Sequence, residues 1–273
     1  LDAIIWCSNR ATDENSSPNF LFFENVNGYN FKSLSDMLPA DSVFTLQAET
    51  KNLLNELPDK EIIGIRGYKV ILQSDYLQRI SSGVNSGKFI GLDPLTRKVN
   101  IAKIDYLQTY SRTNKHLNSN PNFTGGRNRE GKDSAQMFDS KISLYSFETE
   151  RDKSDWVKTN EIQTGKIIDD THSYVFQRAP ILTNLLQTTI HLNVPGNFAF
   201  TSGTVVRLKM PLRAVGTNND NKDATLDGKY IITAARHMIK GDIHETVIEV
   251  VTDSTNKPFT ISQNSDMLEA IKK

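Results

Sequence analysis

The sequence predicts a β-rich α+β fold: antiparallel sheets or a small β-barrel, with a few short helices. Three observations carry this. Between residues 188 and 252, apolar and polar side chains alternate in four successive runs, the two-residue period of half-buried strands. The aromatic-rich runs of FLFFENVNGYNFKSL, Phe20 to Leu34, flank Asn27-Gly28, a dipeptide that favours tight hairpins. Helical periodicity occurs only in short stretches, with no heptad run and no internal repeat.

Taken in order, Asp2 to Thr12 reads as a helix, because Ala3, Ile4, Trp6, Cys7 and Ala11 fall largely on one face. That face should meet the core, with Cys7 as a small buried hydrophobe. The polar stretch TDENSSPN ends the pattern, and the aromatic hairpin follows, with a type I′ turn expected at Asn27-Gly28. Ser33 to Leu38 predicts a short helix stopped by Pro39. Glu61 to Leu72 is strand material around Gly64 and Gly67, and Asp75 to Ser82 suits a short helix. Lys88–Leu92 and Lys98–Asp105 should pair across Asp93-Pro94-Leu95-Thr96. From Tyr110 to Ser134 the composition shifts to Asn, Ser, Gly, Arg and Lys, which predicts an exposed, mobile loop.

The last hundred residues are the clearest. Pro180 suits the first turn of a helix running to about Leu186. Ile190, Leu192 and Val194 then alternate with Thr189, His191 and Asn193, and Val206, Leu208 and Met210 with Val205, Arg207 and Lys209. Lys229–His237 and Thr246–Thr252 add two more strands, so that four in succession predict an antiparallel meander or small barrel. Ser265 can cap a closing helix through Lys272.

Composition narrows the function classes. The 273 residues hold 32 Lys+Arg against 32 Asp+Glu, a net charge of zero that removes the simplest argument for nucleic-acid binding and eases self-association. At this length folding buries roughly 70–75% of the unfolded surface, and 13 Phe with 8 Tyr supply a core. Mean hydropathy of −0.44 describes a polar globular chain. The single Cys7 excludes an internal disulfide and a multi-Cys zinc site, and points to a reducing place of synthesis. Ala179 to Val206 lacks charge, but Asn184, Gln187, His191, Asn193 and Pro195-Gly196 would leave polar groups unpaired in a bilayer. No secretory signal is read, and the start at Leu1 suggests a chain that begins inside a larger polypeptide.

No complete catalytic constellation emerges. Gly126 to Asp133 matches the phosphate-binding pattern GxxxxGK until its last position, where Asp133 replaces the Mg²⁺-binding hydroxyl, and no strand precedes it. The five histidines, at 116, 172, 191, 237 and 244, form no metal-ligand spacing, although His237 and His244 lie on neighbouring predicted strands and could approach each other. Ordinary packed histidines are the plainer reading. Asp169-Asp170 reads as a capping cluster, and Arg127, Arg129 and Lys132 as a solvated loop without an aromatic for base stacking. Asn15 and Asn122 head chance glycosylation sequons. No catalytic, cofactor-binding or metal residue is therefore assigned, and no cofactor is expected.

Three segments together are more specific. FLFFENVNGYNFKSLSDML, with LDAIIWCSNRA before it, resembles a signature of the central baseplate hub proteins of contractile-tailed (myovirus-type) bacteriophages. QRAPILTNLLQTTIHLNVPGNFAFTSGTVVRLKMPL, from Gln177, resembles that family's helix-strand-turn-strand passage, with VPGN at Val194–Asn197 as its turn. LDGKYIITAARHMI and ETVIEVVTDS match its closing strands. The likeness covers both ends and, between Thr45 and Asp170, only the outline; the family's first tube-like segment is not seen here. These are turn and strand signatures, so their weight lies in order and combination.

The resemblance implies tail-tube-like β domains and a structural virion protein without enzymatic activity. Residues 1–60 would be a helix plus aromatic hairpin, an insertion-type hub subdomain. Residues 61–172 would form a β-rich middle domain with the loop 110–134, and 173–273 a C-terminal tube-like β domain with its closing helix. Such a hub is a homotrimer in the tail baseplate of the virion, assembled in the bacterial host cytoplasm. It joins the sixfold tail tube and tube-initiator proteins above to the threefold central spike below, beside other baseplate proteins. Its lumen passes viral DNA at ejection. The rival classes are a tail-associated hydrolase, for cell wall or nucleotide, and a β-barrel binding module of another injection machine.

Overall fold

The alternating runs become the central sheet. The computed structural model describes residues 2–11, 13, 17–48, 62–72, 86–92, 99–105, 110, 115–121, 143–146, 178, 180–210 and 226–256. Helix α1 (Asp2–Arg10) precedes the hairpin of β1 (Phe20–Asn25) and β2 (Gly28–Ser33), the one-turn helix α2 (Leu34–Met37) and strand β3 (Phe44–Ala48). Next come β4 (Ile62–Ile65), β5 (Gly67–Leu72), β6 (Ser86–Leu92), β7 (Val99–Asp105), the short β8 (Asn120–Pro121) and β9 (Ser143–Ser146). Residues 180–185 are helical, as Pro180 predicts. Strands β10 (Thr188–Pro195), β11 (Val205–Lys209), β12 (Gly228–Lys240), β13 (Ile243–Thr252) and the short β14 (Ser254–Thr255) follow. No helix among the described residues is long and apolar enough to cross a membrane.

Seven strands form one mixed sheet in the order β4-β3-β11-β12-β13-β10-β5. It draws strands from all three of the stretches 1–60, 61–172 and 173–273. Strands β4 and β5 stand at opposite edges, yet only Arg66 separates them in the chain. Consecutive Cα atoms lie about 3.8 Å apart, so the sheet has to curl until its edges nearly meet. The Arg66 N–H donates to the carbonyl of Asn193 on β10 at 2.9 Å, carrying the β5 ladder on toward β4. The result is a curled half-barrel with few short helices, the β-rich class the sequence predicts.

Alternation sorts the side chains by face. Leu46, Ile190, Leu192, Val194, Val206, Leu208, Ile232, Ile248 and Val250 fill the inside of the curl with Tyr230 and Phe200. Their neighbours Val205, Ile231 and Val251 point outward and form a second core with Leu34, Met37, Leu38, Ile181 and Leu185, flanked by Leu21 and Phe23. The hairpin, α2 and the helix at 180–185 thus cover one outer wall of the barrel. Ser33 caps α2 by accepting from the Ser35 N–H.

Four details depart from the sequence reading. The last four long strands follow a Greek-key order, β11-β12-β13-β10, rather than a simple meander, and β3 pairs in parallel with both β11 and β4. In the aromatic hairpin, Asn25 pairs with Gly28, so the turn residues are Val26 and Asn27. Neither has a positive φ, whereas Gly28 sits at φ 109°. The positive φ thus falls on the residue after the turn, whereas a type I′ turn at Asn27-Gly28 needs it at both turn residues. Helix α1 turns its apolar side outward: Ile4, Ile5, Trp6 and Cys7 are exposed, and Ser8 is the buried residue. The Ser8 carbonyl accepts from the Arg178 guanidinium at 3.0 Å, which fixes the polar side of the helix toward the body.

The fourth departure concerns the loop from Tyr110. Its described residues, 110 and 115–121, are anchored rather than exposed and mobile. Tyr110 and Leu117 are buried, and β8 pairs with β14. The expected helices at Asp75–Ser82 and Ser265–Lys272, the GxxxxGK loop and Asp169-Asp170 lie outside the described residues. The pairing of Lys88–Leu92 with Lys98–Asp105 is present as β6 and β7, which form a three-stranded sheet with β9.

Candidate functional site

The most distinctive surface is built by the hairpin and α1. On one face of the hairpin, Leu21 and Phe23 enter the outer core. The period of two then places Phe20, Phe22, Tyr29 and Phe31 on the opposite face. Phe20 stacks on Phe31 at 5.2 Å between ring centroids, and Phe22 on Tyr29 at 5.8 Å. Tyr29 is 75% exposed and Val26 at the turn 70%. A ladder of four rings lies along the outside of the molecule, beside a helix whose Trp6 is also more than half exposed. Two contacts hold the hairpin tip in place: Val26 N–H to Thr201 Oγ1 at 3.4 Å and Asn25 Nδ2 to the Ser202 carbonyl at 3.5 Å.

At one end of the barrel a second cluster forms. His237 on β12 and His244 on β13 are diagonal cross-strand neighbours on the inward-facing side. Their nitrogens Nδ1 and Nε2 stand 3.4 Å apart, and Thr246 Oγ1 lies 3.0 Å from the same Nδ1. Phe198 packs over both rings, at 5.1 and 4.6 Å. The VPGN turn supplies the lid: Gly196 N–H donates to the His244 carbonyl at 2.9 Å. A Cβ on Gly196 would fall 2.0 Å from His244 Cγ, so only glycine lets the turn lie against the imidazole. The sequence pairs the two histidines correctly but gives no sign of Phe198.

Two polar groupings complete the inventory. His116 is sandwiched between acceptors, with Asp253 Oδ2 2.7 Å from Nδ1 and the Tyr110 carbonyl 2.6 Å from Nε2, and its ring stacks on Tyr110. Asp253 also accepts from the Leu117 N–H and the Ser254 hydroxyl. On the outer face of the sheet, Glu249 accepts from Thr233 Oγ1 at 2.6 Å and lies 3.1 Å from His191 Nε2. The Thr233 bond, with the smaller contribution of His191, holds the Glu249 carboxyl below its ordinary value against the opposing effect of burial. Among the described residues no group of three or more His, Cys, Asp or Glu side chains could hold a metal ion.

Neither a protein-family model nor a curated protein matches the chain. Among solved structures it is similar to the tail protein from Neisseria meningitidis MC58, with 10% sequence identity and a TM-score of 0.35. The match covers 93% of this chain and 66% of that one.

Proposed function

We propose that the chain is a structural part of a phage tail: the central baseplate hub that joins the sixfold tube to the threefold spike. It acts without catalysis, as a homotrimer in the virion whose lumen passes DNA. The observation that carries this reading is where the signature segments place their apolar residues. FLFFENVNGYNFKSLSDML and the segment that follows Gln177 share one core on the outer wall of the barrel, and the helix of LDAIIWCSNRA lies beside β1 and is tied to Arg178 through the Ser8 carbonyl. Ile4, Ile5, Trp6, Val26, Tyr29 and Phe31, from the first two segments, remain on the surface. Large apolar residues concentrated outside a well-filled core suit an assembly interface, which in obligate oligomers buries on the order of 2,000 Å² or more. Mass photometry of the full-length protein should return trimers. A stable monomer at micromolar concentration would contradict the proposal.

A further inference from the structure

We propose that His237 and His244 form a two-imidazole site for a borderline divalent transition metal, taking Zn²⁺ at the end of the barrel. The inference is independent of the hub reading. Four observations converge on it. First, two nitrogens bound to one tetrahedral Zn²⁺ at about 2.0–2.1 Å each stand about 3.3–3.4 Å apart, and Nδ1 of His237 and Nε2 of His244 are 3.4 Å apart. Second, the two rings are held before any ion arrives. Phe198 covers both, the His244 backbone is bound by Gly196, and the Gly196 turn leaves the His244 ring no freedom on that side. A pre-organised pair loses little side-chain freedom on binding.

Third, the charge environment permits a cation. The register puts Ala235, His237 and Ile239 of β12 with His244, Thr246 and Ile248 of β13 on this face, and Gly196, Asn197 and Phe198 come from the facing turn. No Lys or Arg is among them. Arg236 and Lys240 belong to the opposite face of the hairpin, as does Glu245. Fourth, both histidines are only partly buried, so solvent can fill the remaining coordination positions, and Thr246 Oγ1 can accept a hydrogen bond from metal-bound water. Neutral imidazole is a good ligand for Zn²⁺, Ni²⁺ and Cu²⁺.

A neutral imidazole has one N–H and one lone pair, so binding through Nδ1 of His237 and Nε2 of His244 requires each ring to hold its proton on the far nitrogen. A proton on a facing nitrogen is lost to water as the ion binds, and the far nitrogen of the same ring takes one up. Each imidazole then remains neutral and presents a lone pair to the ion. With two protein ligands the site is weaker than a closed structural zinc site, and it keeps open positions.

The test is a titration of the chelator-stripped protein with ZnCl₂, followed by long-range ¹H–¹⁵N spectra of the imidazoles. Nδ1 of His237 and Nε2 of His244 should shift together and saturate at one ion per chain, while His116 and His191 stay unmoved. In His237→Gln the saturable response should be lost, along with the Zn²⁺-dependent rise in Tm. Absence of a saturable shift in the unaltered protein would overturn the proposal, as would a shift centred on another histidine. So would a response that survives in a folded His237→Gln variant. Because the spectra identify the ligating nitrogens in the unaltered chain, misfolding of a variant cannot decide the result.

Discussion

Gly196 has no room for a methyl group, because a Cβ would fall far inside van der Waals contact with the His244 ring. Gly196→Ala should therefore force the turn or the ring to move, at about 1–3 kcal/mol, read as a lower urea midpoint with unchanged slope. Gly28 is limited by its backbone instead. At φ 109° a β-branched side chain is strained, so Gly28→Val should lose on the order of 1–2 kcal/mol. Equal midpoints for variant and parent would contradict either statement. Glu249 allows a pH test. Its carboxyl is held low in the fold, so its contribution is present above the unfolded pKa and is lost as pH falls through the depressed folded value. Thr233→Val should destabilise at neutral pH, and the gap to the parent should close in acid, once Glu249 is protonated in both. A gap independent of pH would show that Thr233 acts through packing alone. The turn at VPGN is legible because Pro-Gly is a local signal. Its reason is not, since the steric partner His244 lies on a different strand.

Short elements show where sequence patterns stop. Strands β10 to β13, inside the sheet rather than at its edges, are legible because each alternates apolar and polar side chains. Strand β3, FTLQA, is no shorter than β11 but stands apart from any run of neighbouring strands, and its parallel pairing with β4 and β11 is a long-range fact with no local signature. The stretch 115–121 misleads for the opposite reason. It is polar, yet Asn118 donates to the Lys229 and Ser254 carbonyls and accepts from the Lys229 N–H, so its polar groups serve partly buried tertiary contacts rather than solvent. Asp253 holds this segment through His116 and Leu117. Asp253→Ala leaves His116 Nδ1 and the Leu117 N–H without this acceptor and should cost about 1–3 kcal/mol, with faster hydrogen exchange confined first to residues 115–121. Retained protection there would show that β8 and β14 suffice as the anchor. In α1 the pattern is correctly helical, but amphipathicity alone does not say which face meets the body. Arg178 and Ser8 decide that from a distant part of the chain.

For the whole molecule, the fold class follows from the strand pattern, while the surface that would assemble is visible only in three dimensions. Phe22 and Phe23 look alike in sequence, yet one joins the outward ladder and the other the core. If the ladder is an assembly face, Tyr29→Glu should change the stability of the isolated subunit by no more than about 0.5 kcal/mol, because the residue is largely exposed. It should nevertheless reduce the trimer fraction in mass photometry, and an unaltered fraction would move the interface elsewhere. The proposed adaptor must itself carry threefold order, and the symmetry of the assembled particle reports that order. A cryo-EM reconstruction of the full-length protein should show three copies around one axis, with the curled sheet of each copy beside that axis. A sixfold ring of identical chains, or isolated monomers in the same images, would contradict it.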